Sequence, residues 1–317
     1  MKTLFTKEQQ NAQDHFRDFT RVEIIPYADQ FDREERTPRS VIEKMARQGF
    51  LGAVLSSEWG DAGLDMVTLG ILHEEIGYGC SSLRSLLTVH SMASFAIQRW
   101  GNKQLKTRWL PLLASGERIG AFALSEPNVG SDAQSIETTA VPRDDHYLLN
   151  GQKKWITYGQ IADVFLLFAQ VEGKFSAFLV ERDTPGLSTT PIYGMLGTRG
   201  SMLAELHLQN CLIPKENLVG GIGFGLASVA TSALDIGRYS VACGCVGIAQ
   251  AALDASLAFT STRKQSGVLL KEHQLIRQMI TDMITNTKAA RLLCNHAGYL
   301  KDQGDPRTFM ETFIAKY

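Results

Sequence analysis

The ten residues Ala123 to Asp132, ALSEPNVGSD, mark the point at which the chain changes its pattern. Pro127, Asn128 and Gly130 are turn formers, each for its own backbone reason. A turn alone does not need Glu126, Ser131 and Asp132 at fixed positions around it. Upstream, VIEKMARQGFLGAV (41–54) and VTLGILHEEIGYG (67–79) carry apolar residues three and four apart and run into glycine, which predicts helices with stops. SLRSLLTVHSMASFAIQRWGN (82–102) is apolar on more than one face and predicts a buried helix ending at Gly101. KTRWLPLLASGERIG (106–120) predicts another, kinked or restarted at Pro111.

Downstream the period shortens. In HYLLNGQKKWIT (146–157), Asn150-Gly151 separates two apolar-rich runs and predicts a hairpin turn, because that pair accepts positive φ. ADVFLLFAQV (162–171), KFSAFLVERD (174–183), LSTTPIYG (187–194) and AELHLQNCLI (204–213) follow as short strands, an antiparallel β domain. GGIGFG (220–225) leads back into two long helical stretches, and TFMETFIAKY (308–317) starts a third helix. The order is α, then β, then α, without an internal repeat. The fold class is α+β: an N-terminal α-helical domain at 1–120, a middle β-barrel or sandwich domain at 121–220, and a C-terminal helical bundle at 221–317.

Composition narrows the function. The chain has 317 residues, 44% hydrophobic and 21% charged, with a formal net charge of −1. That is an ordinary globular composition. No Lys/Arg block suggests a nucleic-acid partner or a membrane anchor. No apolar run reads as a bilayer span, and MKTLFTKEQQ lacks a signal-peptide core. Cys80, Cys211, Cys243, Cys245 and Cys294 are scattered, as free thiols of a cytoplasmic protein are. Cys243-Gly244-Cys245 has the wrong spacing for zinc and reads as small core packing. Leu226 stands where the dinucleotide fingerprint needs its last glycine, and Gly77 where a zinc helix beginning at His73 needs its second histidine. No P-loop or G-x-S-x-G elbow occurs.

The α–β–α order together with ALSEPNVGSD resembles the acyl-CoA dehydrogenase family of flavoproteins. Ala123, Leu124, Ser125, Glu126, Gly130, Ser131 and Asp132 match the family's first signature, and Val129 departs from its usual small residue. LPLLASGERIGAFAL (110–124), GQKKWITYG (151–159) and RKQSGVLLKEHQLI (263–276) extend the likeness in order. The resemblance implies FAD as cofactor. Flavin needs donors at its pyrimidine edge and N5, where charge accumulates on reduction. Backbone N–H groups of the turn from Leu124 to Ser131 can approach it closely, with Ser125 and Gly130 in the cradle. Trp155 and Thr157 look like the family's indole and hydroxyl beside the isoalloxazine; read alone, a strand Trp is core. Arg263 and Gln274 match residues that reach a neighbouring subunit's FAD, although Arg263 alone reads as a solvated helix-end charge. Ser266 departs from the family's Phe. Ser131, Asp235 and Arg238 resemble residues along the thioester arm, and Asp235 alone reads equally as a cap or surface acid.

Within the family, CSSLRSLLTVHSMASFAIQRWG (80–101), GRYSVACGCVGI (237–248) and DPRTFMETFIAKY (305–317) look most like acyl-carrier-protein dehydrogenases of polyketide extender-unit biosynthesis, with hydroxymalonyl- or methoxymalonyl-ACP as the type of product. The expected activity is oxidation of a small acyl thioester on an acyl carrier protein. The alternatives are α,β-desaturation of an acyl-CoA, a flavin oxidase or monooxygenase, or a non-catalytic member. The resemblance implies a homodimer or homotetramer. It also implies a Glu base at one of two places. Gly237 occupies the first, and the second is expected beyond Tyr317, in about one further helical hairpin. Glu126 is read as turn scaffold and not as a substitute base.

Overall fold

The computed structural model describes residues 5–60 and 63–317. They form two compact units. Residues through Ala28, Asp65–Arg84 and Arg238–Tyr317 make a helical unit; Asp29–Leu64 and Ser85–Gly237 make a unit built on a sheet.

In the helical unit, α1 (Lys7–Phe19) starts at a capping box, with Thr6 Oγ1 accepting from Gln9 N at 3.2 Å and Gln9 Oε1 accepting from Thr6 N at 3.1 Å. It runs on into a π-helical turn at Thr20–Ile24. α2 (Ala28–Arg33) and α3 (Arg39–Arg47) follow along the chain and, but for Ala28, belong to the sheet unit. Asp65 caps α4 (Met66–Gly79), accepting from Thr68 N at 2.7 Å. α5 (Ser81–Trp100) and α6 (Lys103–Ala114) lead to the strands; α7 (Thr231–Thr260), α8 (Gln274–Asp302) and α9 (Thr308–Lys316) close the chain. α4 is buried on nearly every side because α7 crosses it backbone to backbone. A Cβ on Gly247 would lie 2.0 Å from the Glu74 carbonyl oxygen, so only glycine permits the approach. Two ion pairs flank the crossing: Arg291–Glu74 and Arg17–Glu75, each at 2.8 Å. These acids have structural partners, and His73 beside them is fully buried, with no hydrogen-bond partner for either ring nitrogen among the described residues.

The second unit is one mixed sheet. β1 (Gly120–Ala123) leads to the turn. β2 (Thr139–Arg143), β3 (His146–Ile156), β4 (Val164–Val171), β5 (Lys174–Glu181), β6 (Leu187–Pro191), β7 (Ala204–Pro214) and β8 (Leu218–Val219) line up as β6-β7-β3-β2-β4-β5-β8. The wholly antiparallel expectation fails at β4, which pairs in parallel with β1 and with the start of β2. Met92, Ile97, Trp109 and Leu113 from α5 and α6 pack with Leu124, Val129, Phe168 and Val229 in one core. Val129, the departure in the opening motif, is thus an aliphatic anchor that sinks the turn into this core.

Three further expectations are corrected. Asn150-Gly151 is no hairpin turn; the β2–β3 turn is at Asp144-Asp145, and β3 passes through Asn150 and Gly151 with a bulge against β7. Glycine is required at 151 for φ +152° and because a Cβ there would strike Thr138 Oγ1 at 2.5 Å. α6 runs through Pro111 without a restart, since the proline falls near its end and buried Leu110 and Leu113 hold the last turn. The continuous helical stretch Gly225–Thr260 is long and apolar enough to cross a bilayer by length and composition. Its buried side chains, Ala233 and Ile236 in one unit and Tyr239, Ala242 and Val246 in the other, pack as those of a core helix do.

One buried imidazole ties the entry of the sheet to its helices. His90 Nε2–H donates to the Leu113 carbonyl at 3.0 Å, and Nδ1 accepts from Gly120 N at 3.1 Å. Only the neutral ring makes both bonds, because protonation keeps the Nε2–H donor but removes the Nδ1 acceptor. Burial pushes its pKa down to about 4, and that of His73 to about 3. Between pH 6.5 and 4 the unfolded imidazole binds a proton that the folded one refuses, so stability falls as pH falls through that window. His90 contributes up to about 3 kcal/mol of this loss. Urea unfolding at pH 7 and pH 4.5 checks it: His90→Asn is expected to be less stable at pH 7 but to lose less on acidification than the wild type.

Candidate functional site

The turn after β1 is built from its own backbone and one carboxylate. Glu126 N donates to the Val129 carbonyl at 2.9 Å and Val129 N to the Glu126 carbonyl at 3.2 Å. The Glu126 side chain, buried beneath, accepts from Glu137 N at 2.5 Å, Thr138 N at 3.1 Å, Thr138 Oγ1 at 2.5 Å and Lys153 Nζ at 2.6 Å. Burial works to raise this carboxyl, but the Lys153 ammonium and the hydrogen bonds outweigh it and hold it below the usual value. Lys153 is wholly buried, and burial pushes it down to about 8 against the opposing pull of Glu126. Glu126 is therefore scaffold, as its place in the motif suggested. Three of the four donors bind Oε1 and the fourth binds Oε2, so the carboxylate is held beneath the turn by an ion pair and hydrogen bonds rather than offered to a substrate.

The turn is also tied to β3. Lys153 Nζ donates to the Leu124 carbonyl at 3.2 Å, and Lys154 N to the Ser125 carbonyl at 2.9 Å. Directly after these residues β3 shifts register against β7, between Lys153 and Ile156. Trp155 sits in that bulge at φ +62°, an unusual conformation for a bulky residue and one that clusters at functional sites. The bulge turns its indole outward to 48% exposure, so Trp155 is not core. Lys154 Nζ lies 5.1 Å from the ring centroid and 2.9 Å from Glu205. Thr157 follows, half-buried, at the end of the strand. On the far side of the turn, Gly130, Ser131 and Asp132 are exposed. Among the described residues the N–H groups of Gly130 and Ser131 have no partner, and a Cβ on Gly130 would meet nothing within 4 Å.

The sheet unit thus brings together Leu124, Ser125, Gly130, Ser131, Trp155 and Thr157. Asp235, also in this unit, is half-buried on α7 with Oδ1 shielded from solvent, not a surface acid. Gly237, one alternative place for a base, is packed against Met92: a Cβ there would lie 2.7 Å from Met92 Sδ, so a side chain at 237 would require Met92 to move. In the helical unit, Arg238 holds its guanidinium 4.5 Å from the Phe313 ring centroid, and its Nη1 is buried without a partner among the described residues. Arg263 and Gln274 are exposed, Arg263 after α7 and Gln274 opening α8. Between them β9 (Lys264–Gln265) and β10 (Val268–Leu269) form a hairpin whose central residues, Ser266 and Gly267, have φ +51° and +80°. A turn with two left-handed residues explains why position 266 carries a small polar residue.

None of the five cysteines is in a disulfide; Cys243 is buried, but Cys245 is exposed and not part of the core. No group among the described residues could hold a metal ion. A cavity of about 680 Å³ lies in the helical unit among Arg17, Thr20, Glu74, Glu75 and Arg291, where Arg17 pairs with Glu75 and Arg291 with Glu74. None of its lining residues belongs to the turn or to β3, so the chemistry, not the volume, locates the site. Lys153 is the residue of the turn's support that sequence reasoning passed over. Its signal was a lysine at an inward-facing strand position in a chain that also buries a glutamate in the preceding turn.

Comparison with known proteins agrees with this organisation. Residues 6–117, 121–211 and 224–317 match the N-terminal, middle and C-terminal domains of acyl-CoA dehydrogenase. The chain is 37% identical over 322 residues to glutaryl-CoA dehydrogenase of Desulfococcus multivorans, covering 98% of this chain and 82% of that protein. A structure of a glutaryl-CoA dehydrogenase from Mycobacterium smegmatis in complex with FADH2 superposes with a TM-score of 0.94 at 29% identity, covering 100% of this chain and 82% of the other. The prolyl acyl carrier protein oxidase AnaB does so with a TM-score of 0.92 at 27% identity, covering 98% and 84%. The fold, the three matched domains in order and the relative at 37% identity establish that this chain belongs to the acyl-CoA dehydrogenase family.

Proposed function

We propose that the chain is an FAD-dependent dehydrogenase that oxidises the acyl CH–CH bond of an acyl-CoA. The observation that carries this is the coupling of an open donor turn to an outward-facing indole through Lys153 and Lys154. The residues present fit FAD: Gly130 and Ser131 offer unpartnered N–H donors in open space, and Trp155 offers an aromatic face. FAD, when bound, would supply the hydride acceptor, and the α-proton would need a carboxylate base other than the buried, ion-paired Glu126 and other than position 237, which is glycine. Leu124, Ser125, Gly130 and Ser131 would hold the polar edge of the flavin, with Thr157 as a further donor and Trp155 as an aromatic face. Arg263 and Gln274 reach the FAD of a neighbouring subunit in a homodimer or homotetramer. Ser131 and Asp235 line the thioester arm, and Arg238 contributes a substrate contact.

The relatives' names favour CoA over the carrier protein expected from the sequence. Glutaryl-CoA dehydrogenase is named for a CoA thioester. A second reading, an acyl-ACP substrate in cytoplasmic extender-unit synthesis, is supported by the likeness to an acyl carrier protein oxidase. Anaerobic titration of the yellow protein separates them. Bleaching of the flavin band by a short acyl-CoA supports the first reading; bleaching only by the same acyl group on a carrier protein selects the second. Rapid reoxidation by air would move the chain to the oxidases, and colourless protein that takes up no FAD would sink both readings.

A further inference from the structure

Lys153 lies below the turn and one residue before the bulge that presents Trp155. Its ammonium makes two bonds, to the Glu126 carboxylate at 2.6 Å and to the Leu124 carbonyl at 3.2 Å. The Leu124 carbonyl and the Ser125 N–H belong to the same peptide group, so a charge-assisted bond to the oxygen polarises the N–H on its other side. A buried ion pair is weak evidence for stability, because apolar residues of similar volume often replace one without loss. What the pair does provide is a fixed connection between the two halves of the site.

We propose that Lys153 is a positioning residue for the cofactor: it holds the Leu124–Ser125 peptide and the Glu126 carboxylate at once, and so sets the donors of the turn against the flavin. This rests on the FAD reading above. Two consequences separate it from a purely structural role. Lys153→Met leaves the Glu126 carboxylate three of its four donors, Glu137 N, Thr138 N and Thr138 Oγ1, and the double variant with Glu126→Gln removes the unpaired charge where the single variant is too unstable to fold. In the single variant the Leu124 carbonyl is unheld, and a carboxylate charge beneath the turn is uncompensated. Reduction of flavin adds negative charge, so that carboxylate disfavours the reduced form.

The test measures FAD dissociation constants and two-electron potentials for wild type, Lys153→Met and the double variant Lys153→Met/Glu126→Gln, with apoprotein melting curves to establish folding. Lys153→Met is expected to weaken FAD binding about 10–100-fold, the scale on which outer-shell partners act. It should also lower the potential by about 30 mV for each tenfold loss of preference for reduced over oxidised flavin. The double variant removes the charge imbalance but not the loss at Leu124. Its potential should return toward wild type while FAD affinity stays at least about tenfold weak. Wild-type affinity and potential in both variants would overturn the proposal and leave the FAD reading intact. Failure of the wild type itself to take up FAD would overturn both.

Discussion

Glu126→Ala should destabilise the chain by about 3–5 kcal/mol, because it leaves an ammonium buried without its counter-charge. Lys153 has no solvent exposure, and its remaining acceptor is the Leu124 carbonyl. Glu137 N, Thr138 N and Thr138 Oγ1 lose their acceptor in the same step. The pH dependence has a definite sign. Burial already lowers Lys153 to about 8, well below the ordinary lysine value, and Glu126 is what holds it up. Without Glu126 it falls further, so the folded variant binds fewer protons than the unfolded chain over a wider range below pH 10.5. Stability of the variant therefore rises with pH relative to wild type. Guanidinium unfolding at pH 7 and pH 9 reads both effects. A loss below about 1 kcal/mol, typical of an exposed ion pair, would show that the pair is not the scaffold described here.

Gly247→Ala is expected to cost on the order of 3 kcal/mol or more, the upper range of overpacking. The added methyl would meet the Glu74 carbonyl at 2.0 Å and Tyr78 N at 2.7 Å, both backbone atoms of α4 that no rotamer change can move. α4 must retreat from α7, and the neighbouring approach of Gly77 to the Gly244 carbonyl opens with it. In a solvent-exposed helix the same substitution would stabilise by up to about 1 kcal/mol, so the sign itself is diagnostic. Thermal unfolding checks it, and a melting temperature equal to or above that of the wild type would mean that the two helices do not cross as described.

The helices and strands were legible because their signals are local. Three- and four-residue spacing marked α3 and α4, an apolar run on more than one face marked α5, and the change of pattern after residue 123 marked the entry to the sheet. The errors came where a local signal had a tertiary cause. Asn150-Gly151 has turn chemistry, yet glycine is there because Thr138 of the neighbouring segment occupies the space of its Cβ. Pro111 breaks an isolated helix, but core contacts of Leu110 and Leu113 keep α6 whole. Trp155, which the family likeness sets beside a flavin and which a strand position alone would make core, is turned outward by a register shift between strands far apart in sequence.

By itself the sequence determined the order of segments, the identity of the turn and the scaffold role of Glu126, since residue types at fixed spacing specify backbone conformation directly. Only the tertiary structure decided that Lys153 is the partner of Glu126, that Gly237 is packed against Met92, and that α4 and α7 meet at their glycines. Those facts depend on distances between residues that are remote along the chain, and no local pattern encodes them.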